Sequence, residues 1–171
     1  MARGKVMASY KDMFIVGERD VAFIAKQLNN FGLKDKIVNI KIVENSNLAV
    51  EKFLKGYLLN NNIEVFKIHE LDVLHLDAFK HNNTFEKIKS DCDLLDKYGA
   101  GVKYDPTLEI EELKAEKAVK SLENIYNFPE IKKIRDDLRN SDINYPQEEY
   151  NLTDIINNYN NKYKTTEQLK K

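Results

Sequence analysis

The sequence predicts an α/β fold: a Rossmann-like three-layer domain with a parallel sheet, followed by a helical extension at the C-terminal end. Two observations lead there. Short apolar runs alternate with amphipathic stretches in the order β-α-β-α-β, which right-handed crossovers fold into a parallel sheet covered by helices. Beyond Asp105 and Pro106 the chain turns charged, then polar and rich in Asn, as a separate helical region would. The expected division is residues 1–104 for the α/β domain and 105–171 for the extension.

Met13-Phe14-Ile15-Val16 is a continuous apolar run ending at Gly17, the pattern of a buried central strand. Val21, Ile24, Ala25 and Leu28 then recur at helical spacing, on a helix that stops near Gly32. Val38, Ile40 and Ile42 alternate with Asn39 and Lys41, which predicts a strand with one polar face. Asn45 or Ser46 would cap a second helix, whose stripe is Ala49, Val50, Phe53, Leu54, Tyr57 and Leu58. Asn60-Asn61-Asn62 ends it, and Ile63 to Ile68 supplies a third strand.

A stretch rich in His and Asp precedes a third helix with Phe85, Ile88, Cys92 and Leu95 on one side. Gly99 and Gly101 mark a break. From Glu109 to Tyr126 the spacing gives a charged helix with Ala115, Ala118, Val119, Leu122 and Ile125 inward. Pro129 opens another helix through Leu138, and a last one runs from Leu152, fraying toward Lys171.

Composition excludes more than it selects. The 42% hydrophobic fraction, with nine Tyr and eight Phe, argues against wholesale disorder. With 27 basic and 28 acidic residues there is no global attraction to nucleic acid or anionic membrane. The single cysteine, Cys92, rules out an intramolecular disulfide and reads as a small buried hydrophobe. No run approaches the ~18 apolar residues of a membrane span, and no secretory h-region follows the basic first residues. The cytoplasm is the expected location.

In an open parallel sheet, ligands sit beyond the carboxyl ends of the strands. Those ends would be Gly17-Glu18-Arg19-Asp20 and Glu44-Asn45-Ser46-Asn47, each leading into a helix N-terminus that favours anions. Gly17 would allow close approach, Arg19 would meet a phosphate, and Glu44 and Asn45 would meet a ribose or base. The carboxylates of Glu18, Asp20 and Glu44 oppose such a phosphate. His69, His75 and His81 recur at a six-residue step that fits neither strand alternation nor a helix turn, so the reading there is a solvated loop rather than a metal site.

Ile15-Val16-Gly17-Glu18-Arg19-Asp20 resembles the strand-then-Gly-x-Arg-Asp opening of the SLOG superfamily, in particular its YspA-like members. The resemblance covers roughly residues 12 to 96. It implies a Rossmann-like domain that binds a nucleotide-derived ligand. Where those members carry a Gly-Ala-Arg-Gly-Ala-Asp type turn, this chain has Val43 to Ala49, without the glycines, Arg and Asp. His81-Asn82-Asn83 matches the family's Arg-Asn helix start, which adds Asn82 to the ligand set, and Cys92-Asp93-Leu94-Leu95 matches its Ala-Asp-x-Leu-Leu. The Pro-Gly-Gly signature of the superfamily's phosphoribohydrolases is absent.

The expected function is therefore a binding module for a nucleotide-derived small molecule, non-catalytic and without a cofactor, at Gly17, Glu18, Arg19, Glu44, Asn45, Ser46 and Asn82. The alternative is a protein-interaction module, of phage or mobile-element type, in which the α/β domain is scaffold and the C-terminal helices dock on a partner or on a second copy in a homo-oligomer. An enzyme is least favoured, because no His or carboxylate pair sits at a spacing that defends a mechanism.

Overall fold

Ser9 starts the first helix. Its hydroxyl accepts the Asp12 N–H at 3.1 Å while the Asp12 carboxylate accepts the Ser9 N–H at 3.0 Å, a reciprocal capping box. The computed structural model describes residues 4–105 and 109–168; Pro106 and Lys171 lie outside them. Its elements are α1 (Tyr10–Phe31), α2 (Lys36–Asn60), α3 (Leu71–His81), a 3-10 segment (Asn83–Ile88), α4 (Lys89–Tyr104), α5 (Glu112–Tyr126), α6 (Pro129–Ser141) and α7 (Leu152–Gln168). No sheet is present among the described residues, so the α/β, Rossmann-like expectation is wrong.

Each expected strand has a physical correction. Met13 to Val16 lies inside α1, where Phe14 is buried and Val16 faces outward, so the run is the seam of an amphipathic helix. Val38, Ile40 and Ile42 lie in the first turns of α2, capped by Asp35, whose carboxylate accepts the N–H groups of Ile37 and Val38. Asn39, read as part of a polar strand face, is fully buried and donates to the Leu33 and Ile110 carbonyls at 3.0 Å each. Ile63 to Ile68 is extended but makes only an isolated antiparallel bridge, Lys5 to Phe66, among the described residues. One bridge is too little to build a layer.

The central element is α2, which packs against α1, α3, α4, α5 and α6. Over its first turns apolar and polar residues alternate, which blurs the helical period there although the stripe from Ala49 onward keeps it. Its closest neighbour is α1, and two glycines allow the approach. A Cβ on Gly17 would stand 2.7 Å from the Phe53 ring, and one on Gly56 would stand 2.5 Å from the Phe14 ring. Each helix thus lodges a phenylalanine over the other's glycine, with ring centroids 5.5 Å apart. From Phe53 the aromatic contacts continue to Tyr126 of α5, centroids 5.8 Å apart.

The stripes read as helical are buried where expected: Val21, Ile24, Ala25 and Leu28 on α1, Ala49 to Leu58 on α2, and Ala115 to Ile125 on α5. Cys92 is fully buried in α4, and burial pushes its thiol far above its ordinary range. The acidic start of α5 meets the basic connection between α1 and α2, with Lys34 to Glu112 at 2.8 Å and Lys36 to Glu109 at 2.8 Å. These exposed pairs contribute about 1 kcal/mol or less each. No helix among the described residues is long and apolar enough to cross a membrane.

Candidate functional site

The residues expected to form a nucleotide pocket are distributed along helices. Gly17 and Glu18 are buried in the middle of α1, and Arg19 beside them is exposed. Glu44, Asn45 and Ser46 sit inside α2, far from either terminus. Asn45 donates to the Lys41 carbonyl at 2.8 Å and Ser46 to the Ile42 carbonyl at 2.7 Å, both bonds back along their own helix. Glu44 pairs with Lys41 at 2.7 Å. Asn82 caps the 3-10 segment by accepting the Thr84 N–H at 3.0 Å. No sheet stands among the described residues, and the anion site expected at its strand ends is withdrawn with it.

His69, His75 and His81 also go separate ways. His75 is buried on α3, its Nε2 2.8 Å from the Phe85 carbonyl. His69 is exposed, with Nδ1 3.1 Å from Glu51, and His81 stands edge-on to Tyr57.

Glu18 is the centre of the most polar buried cluster. Its Oε1 accepts from Arg135 Nε at 2.8 Å, Arg139 Nη2 at 2.8 Å and the Tyr145 hydroxyl at 3.0 Å. Its Oε2 accepts from the Tyr126 hydroxyl at 2.9 Å. Glu18, Arg135, Tyr126 and Tyr145 are each no more than 1% exposed. Arg135 also donates to the Tyr126 carbonyl at 2.8 Å and stacks on the Tyr126 ring, 3.2 Å from its centroid. Burial, followed by the Glu18 carboxylate, pushes the Tyr145 hydroxyl far above its ordinary range; Tyr126 is raised, first by burial.

Sequence reasoning missed this cluster, although a signal existed. On α6 the buried positions are Ile131, Ile134, Arg135 and Leu138, so Arg135 falls on the apolar phase. Glu18 does the same on α1, between Phe14 and Val21. Two opposite charges on two apolar stripes ask for each other.

Arg139 extends the cluster outward. It reaches Glu149 at 2.8 Å and the carbonyls of Pro146 and Glu148 at 3.2 Å, fastening the irregular segment between α6 and α7. Beyond Glu149 opens a groove of about 720 Å³. Its walls are the end of the 3-10 segment (Lys87, Ile88), Asp91 in the first turn of α4, the end of α5 (Glu123, Asn124, Tyr126), Asn127, Phe128 and Pro129 after it, and Glu149, Tyr150 and Asn151. A smaller cleft of about 350 Å³ lies between Arg19, Ala22 and the segment Pro146 to Tyr150.

A second polar cluster lies where α1 meets α2. Buried Glu51 binds Lys55 at 2.7 Å and Lys52 at 2.9 Å. Burial pushes its carboxyl up, but the hydrogen bonds from Lys55 and Lys52 outweigh it and hold the group below its ordinary value. Nearby Asp20 goes the other way: burial, reinforced by Glu51 and opposed by Lys52, raises it to about 6. A carboxyl raised on folding costs stability once pH exceeds its unfolded value, and the cost grows through pH 6. Asp20→Asn is therefore expected to raise Tm by a few degrees at pH 7.5 and to match wild type below roughly pH 4. Thermal melts across that range check it; a variant less stable at pH 7.5 contradicts it.

The family comparison agrees with this helical architecture and not with a nucleotide-binding sheet. The model of the HEPN domain family matches residues 40–134, from the first turns of α2 into α6, and this replaces the SLOG resemblance. No curated protein and no solved structure gives a significant match. Because the matched stretch is more than half of the chain, the chain belongs to the HEPN domain family.

Proposed function

We propose that this chain is a non-catalytic adaptor: a helical module that docks a protein segment in the groove between α4, α5, α6 and Glu149 to Asn151. HEPN domains are often ribonucleases or adaptors, and the choice between the two rests on one observation. The two arginines that reach Glu149 are anchored in structure, although Arg135 Nη2 makes no hydrogen bond. Arg135 and Arg139 share the Glu18 carboxylate, whose oxygens accept four hydrogen bonds in all. A carboxylate so saturated is a poor base, and arginines so held have little reach toward a scissile phosphate.

The groove walls supply no imidazole. His75 and His69 are engaged elsewhere, with the Phe85 carbonyl and Glu51. General acid–base chemistry at neutral pH would have to come from other groups.

The test is turnover. Fluorescent single-stranded RNA incubated with size-purified full-length protein is expected to remain intact, with and without magnesium. Cleavage that follows the protein peak and disappears in Arg139→Gln contradicts the adaptor reading.

A further inference from the structure

The chemistry of the groove specifies its partner more narrowly. Its walls carry three carboxylates, Asp91, Glu123 and Glu149, against one ammonium, Lys87. One wall continues into Leu152, Thr153 and Asp154, and from Glu148 to Asp154 the chain has three acids and no base. Asp91 and Glu123, which no cation among the described residues pairs with, disfavour a phosphate here, and this favours a cationic occupant over an RNA strand.

The carboxylates are not equally committed. Glu149 is held by Arg139 at 2.8 Å, with Arg135 at 3.7 Å. Glu123 is occupied by Thr153, accepting its N–H at 3.2 Å and bonding its hydroxyl, which tethers the start of α7. Asp91 is half-buried and is met by a neutral amide, Asn124 Nδ2, at 3.3 and 3.4 Å. Those bonds are long and their donor is neutral, so a guanidinium or ammonium would replace them with shorter ones between opposite charges.

The other wall groups suit a peptide better than a small cation. Asn124, Asn127 and Asn151 each present a carboxamide with a donor and an acceptor, the complement of a backbone amide. Half-buried Tyr150 adds aromatic surface for the stem of an arginine or for stacking on its head.

We propose that the groove binds a basic, extended segment of a partner protein, with an arginine or lysine of that segment paired to Asp91. This rests on the adaptor reading and names the partner's chemistry. Lys87, at the rim, then sets affinity by repulsion, because it is the one like charge the incoming segment meets in the groove walls.

Fluorescence polarisation of the full chain with a fluorescein-labelled peptide of alternating glycine and arginine tests it. Binding is expected, weakened about tenfold by Asp91→Asn and strengthened by Lys87→Glu, consistent with the size of a charge-assisted contact. Asp93→Asn is the control: Asp93 is exposed, pairs with Lys89 at 2.6 Å and does not line the groove, so affinity is expected to hold. Matching melting temperatures show that the variants fold.

No binding, equal losses in Asp91→Asn and Asp93→Asn, or preference for the glutamate version of the peptide overturns the proposal. So does tighter binding of labelled oligouridylate that Lys87→Glu abolishes. Intact RNA with an unbound peptide defeats only the partner assignment, whereas RNA turnover defeats the adaptor reading beneath it.

Discussion

Replacing Glu18 with alanine is expected to lower the unfolding free energy by about 3–5 kcal/mol. The reason is what remains. Arg135 is 0% exposed and the Arg139 side chain 10%, so the truncation leaves two guanidinium groups buried without their shared carboxylate. The hydroxyls of Tyr126 and Tyr145 lose their acceptor at the same time. For a chain of this length the loss corresponds to a fall of roughly 10 °C in Tm. Glu18→Gln keeps an acceptor but not the charge and should fall between the two. Glu44→Ala, which breaks only the exposed pair with Lys41, should stay within about 1 kcal/mol of wild type. Urea denaturation of the three variants measures the contrast; equal effects of Glu18→Ala and Glu44→Ala would contradict it.

The second large effect is expected at Gly56. A valine there places its Cβ 2.5 Å from the Phe14 ring and 3.3 Å from the Tyr10 carbonyl, and the second contact is backbone that cannot swing aside. Overpacking of this kind costs about 1–3 kcal/mol, and the branch methyls of valine add to it. The better helix propensity of valine returns only part, roughly 0.5 kcal/mol. Shrinking the neighbour should restore what the glycine change removes: Gly56→Ala with Phe14→Leu is expected to be more stable than the sum of its single effects predicts. Strict additivity in that cycle would show that α1 and α2 do not meet through these two positions.

Both effects turn on features that the sequence presents ambiguously. Gly17 follows four apolar residues and reads as the turn after a strand; in the folded chain it is the hollow in α1 that receives Phe53. Local propensity and tertiary packing place glycine there for opposite reasons, and only the partner helix decides between them. The first turns of α2 mislead in another way. Ile37, Val38, Ile40, Ile42 and Val43 are β-branched and interleaved with Asn39 and Lys41, as in a strand, and nothing local shows that they run on into the helical stripe from Ala49. Asp35 was the missed clue, a cap one residue before the first helical position.

Helices with one wet face were legible. Val21 to Leu28 and Ala115 to Ile125 show a stripe and a solvated side, and the spacing places their buried residues correctly. The Glu18 cluster was not, because its partners stand 108 to 127 positions away along the chain and no local pattern joins them. Once Met13 to Val16 is taken as a strand, Glu18 falls in a loop and its place on an apolar stripe disappears. The groove is further still from any local pattern, since it is assembled from three separate stretches of chain.

The adaptor reading stands on the arginines being held by Glu18, and a double-mutant cycle measures that hold directly. Unfolding free energies of wild type, Glu18→Gln, Arg139→Gln and the double variant give the interaction between the two side chains. A coupling of about 1–3 kcal/mol is predicted for a shared, mostly buried ion pair. Additivity within about 0.5 kcal/mol would mean that Arg139 does not spend its charge on Glu18, which would contradict the account.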